Sequence, residues 1–150
     1  MPPAGAEHGF VTKRLDAVLT AFVYEHDLGE CALAETGFLV GRNPDLLLAP
    51  DWAFVRSGRL PFPIPRTFAE VVPDIVLEAR SPSDSVRWVD EKTTLWLHAG
   101  TAVVINLDPI QHHLTVHRPD AETQSFTPDD VLELKELPGL RVPLRATLRW

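Results

Sequence analysis

The sequence predicts an α/β (α+β) domain in which a mixed sheet is flanked by helices. Three observations support this. The run from Val71 to Ala79 is almost continuously apolar, as expected of a strand covered on both faces. A helical pattern ending at Gly100 follows it across a short Ser-Pro break. An amphipathic helix precedes the strands, and a hairpin closes the order of helix, three strands, helix, two strands.

Each element has its own signal. Phe10, Val11, Leu15, Val18, Leu19, Phe22 and Val23 recur at helical spacing, and the pattern ends near His26–Gly29. Glu30–Val40 reads as one strand, with Gly41 opening the next turn. Leu46–Val55 reads as a second, bracketed by Asn43-Pro44-Asp45 and Ser57-Gly58. Pro50 inside it predicts a bulge or an edge position, because proline donates no ladder hydrogen bond. Gly58–Thr67 holds three of the 14 prolines and reads as an irregular loop, a candidate lid. The apolar strand and the helix to His98-Ala99 come next. Thr101–Leu107 and Leu114–His117 are then joined through Asp108-Pro109-Ile110-Gln111. The remainder, to Leu137-Pro138-Gly139-Leu140, is acidic and less regular.

The bulk numbers fit one domain over residues 1–150 with its own core. No apolar run approaches the roughly 18 residues of a membrane span. The opening MPPAGAEHGF has neither the basic start nor the apolar stretch of a signal peptide. Cys31 is alone, which excludes a disulfide framework and makes a cytoplasmic location the expectation. Net charge is -7, which argues against nucleic acid, but it is uneven. Asp120, Glu122, Asp129, Asp130, Glu133 and Glu136 face Lys135 alone, which leaves 15 acids against 13 bases, net -2, elsewhere. Arg42, Arg56, Arg59, Arg66, Arg80 and Arg87 are the candidates for a DNA-binding face.

The chemistry is signalled by charge inside apolar elements. Side chains alternate along a strand, so Asp74, Val76, Glu78 and Arg80 share one face. Asp74 and Glu78 are about 13 Å apart along it, Glu78 and Arg80 about 6.6 Å. One cation bound at about 2.0–2.6 Å by each oxygen cannot readily use both Asp74 and Glu78. The partner of Glu78 is therefore expected on another strand, and Asp51 is the candidate. Lys92 lies within about 60° of Trp88, Val89, Leu95, Trp96 and Ala99 on the helix. It either snorkels or reaches back to the carboxylates. Asp74 either braces Lys92 or Arg80 or caps the start of its strand.

The αβββαβ order, with Asp51 on the second strand and Glu78 on the third, resembles the PD-(D/E)XK nuclease core. The chain is similar to the Uma family of restriction-endonuclease-like proteins. The segments GRNPDLLLAPDWAFV, VPDIVLEARSPSDS, EKTTLWLHAG, the VINLDP…LTVHRPD hairpin and LPGLRVPL carry that resemblance over nearly the whole chain. It implies a restriction-endonuclease-like fold and metal-dependent hydrolysis of DNA phosphodiesters. Asp51 and Glu78 would hold Mg²⁺ or Mn²⁺, with Lys92, Asp74 and Arg80 completing the catalytic set and a homodimer cutting both strands. Position 80 is arginine where the short E-x-K pattern has lysine, and arginine cannot accept a proton at ordinary pH. Lys92 would be the migrated replacement. The family pattern also begins earlier, with an acidic residue, whereas MPPAGAEHG matches an internal position and leaves Glu7 and His8 as the candidates near the first helix.

Other constellations are weaker. His113 and His117 share a strand face about 13 Å apart, too far for one ion, and with His112 read as exposed strand histidines. Ser81 and Ser83 read as turn and cap residues. Trp52, Trp88, Trp96 and Trp150 read as core, and Cys31 as a small buried residue. Two rival readings stand beside the nuclease: an inactive nuclease-like domain used for binding or assembly, and a purely structural ion network around Glu78.

Overall fold

The computed structural model describes residues 3–150. Helix α1 (Ala6–Glu25) precedes strands β1 (Gly29–Leu33), β2 (Phe38–Gly41), β3 (Leu46–Leu48), β4 (Trp52–Arg56) and β5 (Ile75–Ala79). Helix α2 (Val86–Ala99) is followed by β6 (Val103–Asp108), β7 (His113–His117), β8 (Gln124–Phe126), β9 (Val131–Leu132), β10 (Val142–Pro143) and α3 (Leu144–Leu148). Six strands form one mixed sheet in the order β1-β4-β5-β6-β7-β8. Only β5 and β6 are parallel in it, because α2 carries the chain back between them; the other pairs are antiparallel. The expected mixed α/β architecture and αβββαβ order are present.

Two expected strands are each divided. Glu30–Val40 breaks at the turn Ala34–Gly37 into β1 and β2. Leu46–Val55 breaks at Ala49-Pro50-Asp51 into β3 and β4, which lie in different sheets, since β3 pairs only with β2. Pro50 thus marks the crossing from one sheet to another, and β4 lies inside the main sheet between β1 and β5, not at its edge. The acidic C-terminal segment is also more ordered than its composition suggests. It supplies edge strand β8, the β9–β10 pair and α3, whose Leu144 and Leu148 are fully buried.

Strand parity divides the core in two. Trp52, Phe54, Ile75, Leu77, Ile105 and Val116 face α1 and α3, meeting Val11, Leu15, Leu19 and Val23. Ala53, Val55, Val76 and Val104 face the other way, toward Phe38 and Trp96. The second face is covered by α2 and the β2–β3 hairpin. Ser85 caps α2 by accepting from Trp88 N at 3.1 Å. Gly100 ends it at φ 115°, a conformation that favours glycine. No helix among the described residues is long and apolar enough to cross a membrane.

Leu77 is completely buried at the centre of the sheet. Leu77→Ala is expected to lower unfolding free energy by about 2–5 kcal/mol, measured by urea denaturation. A loss under about 1 kcal/mol would show that this strand is not packed on both faces.

Candidate active site

The candidate site forms where β4 begins and β5 ends. The pairing Trp52↔Leu77 puts Asp51 beside the Leu77–Ala79 stretch, and Asp51 N donates to Leu77 O at 3.0 Å. The Asp51 carboxylate reaches over to accept from Ala79 N at 2.7 Å. This places it next to Glu78. The two residues expected to act together are neighbours, Asp51 just before β4 and Glu78 on β5.

Glu78 is only 5% exposed and is held from α2. Lys92 Nζ donates to Oε2 and Trp96 Nε1 to Oε1, both at 2.8 Å. Burial pushes the Glu78 carboxyl above its ordinary value. Lys92 and Trp96 pull in the opposite direction, and the nearby Asp51 adds to the rise. Lys92 therefore reaches back to the strand instead of snorkelling outward, with its ammonium near the Trp88 ring at 5.9 Å from the centroid.

His8 enters from the other side, at the start of α1. Its Nε2 lies 3.0 Å from Ala79 O and 3.8 Å from the Asp51 carboxylate. A carbonyl only accepts, so this hydrogen bond puts the ring proton on Nε2. Glu7, the other candidate on this helix, is exposed to solvent.

Two expected members bond to other partners. Asp74 sits at the opposite end of β5, where its carboxylate pairs with Arg59 at 2.7 Å and accepts from Arg56 N at 2.7 Å. It neither braces Lys92 nor approaches Arg80; it fastens the start of its strand. Arg80 lies just past β5 and turns to Asp108 at 3.0 Å and to Asp84 O at 3.3 Å. It ties the end of β5 to the β6–β7 turn, whose Ile110 and Gln111 amides Asp108 also accepts. Parity placed both residues on the Glu78 face, but strand ends offer partners that parity does not see.

The arginine set does not form a free cationic face. Arg42 pairs with Glu70 and Asp45, Arg59 with Asp74, Arg80 with Asp108 and Arg87 with Glu91, while Arg56 donates to Glu136 O. Among the described residues Arg66 has no ion pair. Of the tryptophans, Trp52 and Trp96 are buried and Trp150 partly so, but Trp88 is 47% exposed and belongs to neither core. His117 is half-buried, not exposed. Burial lowers its imidazole against the pull of Asp90, and its Nε2 meets Thr115 at 2.9 Å and Asn106 at 3.1 Å. Burial pushes the Cys31 thiol up to about 12, which makes it an unreactive nucleophile.

Asn106, absent from the expected set, lies directly beside Glu78 on β6 and donates to Thr93 on α2 at 2.8 Å. A lone amide in the run Val103–Leu107 was the available signal.

The donor set suits a hard divalent cation. Asp51 and Glu78 offer carboxylate oxygens, and the Ala79 carbonyl shares His8 Nε2 with Asp51. No group of three or more His, Cys, Asp or Glu side chains among the described residues is arranged for a metal ion. The remaining positions would fall to backbone carbonyl and water, the usual habit of Mg²⁺.

Comparison with known proteins gives the family and the fold. A family model, Uma2, described as "Putative restriction endonuclease", matches residues 1–146. The chain belongs to the Uma2 family. A crystal structure of a "putative nuclease belonging to DUF820" from Anabaena variabilis superposes with a TM-score of 0.83 at 24% identity, covering 98% of this chain and 84% of that one. At that identity the likeness shows the fold, a restriction-endonuclease-like one. No curated protein matches the chain.

The raised Glu78 carboxyl fixes the sign of a pH effect. Its folded value exceeds the unfolded one, so the stability it contributes is full below about 4.5 and is lost as pH rises through the folded value. Glu78→Gln should remove that slope and leave stability at pH 7 equal or higher. Lys92→Met, which strands the carboxylate, should lower it by on the order of 1–3 kcal/mol. Thermal melts of the three proteins between pH 4 and 8 check both. A loss of several kcal/mol in Glu78→Gln would instead mark a structural ion network.

Proposed function

We propose that this Uma2 protein is a divalent-metal-dependent DNA endonuclease whose site is built from Asp51, Glu78 and Lys92. The observation that carries the reading is Glu78, a buried carboxylate with a raised pKa, with Lys92 on one side and Asp51 on the other. Burying a charge this way is costly, and clusters of such perturbed groups are more frequent at functional sites.

Asp51 and Glu78 would hold Mg²⁺ or Mn²⁺, with the Ala79 carbonyl as a further oxygen donor. When bound, such an ion supplies Lewis-acid polarisation of the phosphate and acidifies water. The Lys92 side chain is 21% exposed beside Glu78, and its ammonium offers positive charge to the phosphate as negative charge develops on it. Trp96 fixes the second Glu78 oxygen, so the carboxylate keeps its orientation through the reaction. His8, with its proton on Nε2, supports the Ala79 carbonyl and stands beside Asp51 from the α1 side. Asp74 and Arg80, bound into pairs at the two ends of β5, act in this reading as strand fasteners. A homodimer would present two such sites, the simplest route to cutting both strands.

The test is relaxation of supercoiled plasmid with Mg²⁺ or Mn²⁺. Wild type is expected to nick or linearise DNA, with Glu78→Gln and Lys92→Met slower by at least about 100-fold and chelator abolishing the reaction. Well-folded wild type that leaves the plasmid intact under both metals would favour the binding-module reading.

A further inference from the structure

Trp88 is one of several large apolar side chains left in water, and it stands beside Lys92. It is 47% exposed, while Trp52 and Trp96 are 1% and 0% exposed, and leaving an indole in water forfeits a large apolar burial. Its position is specific. Lys92 follows it by one turn, with the Trp88 ring centroid 5.9 Å from Nζ and Nζ 2.8 Å from Glu78. Its direction follows from helix geometry. Lys92 reaches Glu78 on β5, and Thr93 reaches Asn106 on β6. At 100° per residue, Trp88 lies about 40° from Lys92 on the side away from Thr93, which is the side of β4. The exposed ring therefore stands beside Lys92, one turn before it, at the edge of the candidate site.

The surroundings decide what the ring can hold. A shallow groove of about 720 Å³ runs along α2 from Arg87 and Trp88 past Asp90, Glu91 and Leu95. Arg87 is paired with Glu91 at 2.9 Å and the Asp90 carboxylate repels a phosphate backbone, so a nucleic-acid strand would not follow the helix. The cation set against the ring is Lys92, 5.9 Å from its centroid. A phosphate at Lys92 with its base laid on the Trp88 face satisfies both constraints.

We propose that Trp88 is a stacking platform for an unpaired nucleobase next to the phosphate held at Lys92, so that the site takes single-stranded or locally unpaired DNA in preference to intact duplex. This rests on the nuclease reading and adds to it the state of the strand. A base inside a duplex has both faces covered by its neighbours, and only an unstacked one can meet an indole. Every base has a π-face, so the platform confers strand selectivity without sequence selectivity.

The experiment is fluorescence anisotropy with a labelled single-stranded oligonucleotide and its duplex, in full-length Glu78→Gln so that nothing is cut. Adding Trp88→Ala should weaken single-strand binding by roughly 5- to 150-fold, Trp88→Phe should retain most of it, and duplex affinity should change by less than about twofold. Tryptophan emission should fall on single-strand binding and cease to respond in Trp88→Phe. Unchanged single-strand affinity in Trp88→Ala, or an equal loss for the duplex, overturns the proposal. So does a shift of Trp88→Ala from dimer to monomer with oligonucleotide binding intact, which would make the ring a contact with a second copy. If Glu78-dependent plasmid cleavage persists in any of these cases, only the platform fails. If wild type neither binds nor cleaves DNA, the nuclease reading falls and the platform with it.

Discussion

A carboxylate on the central strand of a sheet, 5% exposed, must have donors brought to it, and much of the architecture follows from supplying them to Glu78. Both come from α2, one turn apart, as Lys92 and Trp96. For these side chains to reach β5, α2 must lie flat on the Val76–Val104 face and return the chain to pair in parallel. Ser85 sets where the helix starts and Gly100 where it stops. The Asn106–Thr93 contact ties the same helix to β6 one strand further on. Most of the polar contacts that secure α2 to the sheet therefore surround one carboxyl group.

The opposite half of the site depends on a break in the chain. Pro50 ends the β3 segment, and Asp51 is the first residue delivered to the main sheet, with its backbone bonded to Leu77 and its carboxylate to Ala79 N. His8 arrives beside it from α1, which packs on the other face. The candidate site is thus a rim where both layers meet the end of β5. Asp74, at the far end of β5, pairs with Arg59, and Arg80, just past the near end, pairs with Asp108.

Much of this was legible in the residues, and for a physical reason. Acidic Glu78 interrupts an otherwise apolar strand and Lys92 interrupts an apolar helical stripe, so both stand out against their periodicity. The same logic located Asp51, but not the division of Leu46–Val55, because an apolar run carries no record of which sheet it joins. Asp74 and Arg80 share the parity of Glu78, and periodicity gives a face but not what waits at a strand's ends. Trp88 sits at the margin of its stripe, where a few tens of degrees separate core from solvent and a helical wheel cannot choose. The His8 contact spans 71 residues and has no local signature at all.

The most direct test of the central claim is Mn²⁺ binding followed by loss of the free-ion electron paramagnetic resonance signal, in wild type, Asp51→Asn and Glu78→Gln without DNA. A saturable site in wild type that weakens by at least about tenfold in each variant would establish that the two carboxylates hold one cation. Equal binding by all three proteins, or none by a folded wild type, would contradict the account.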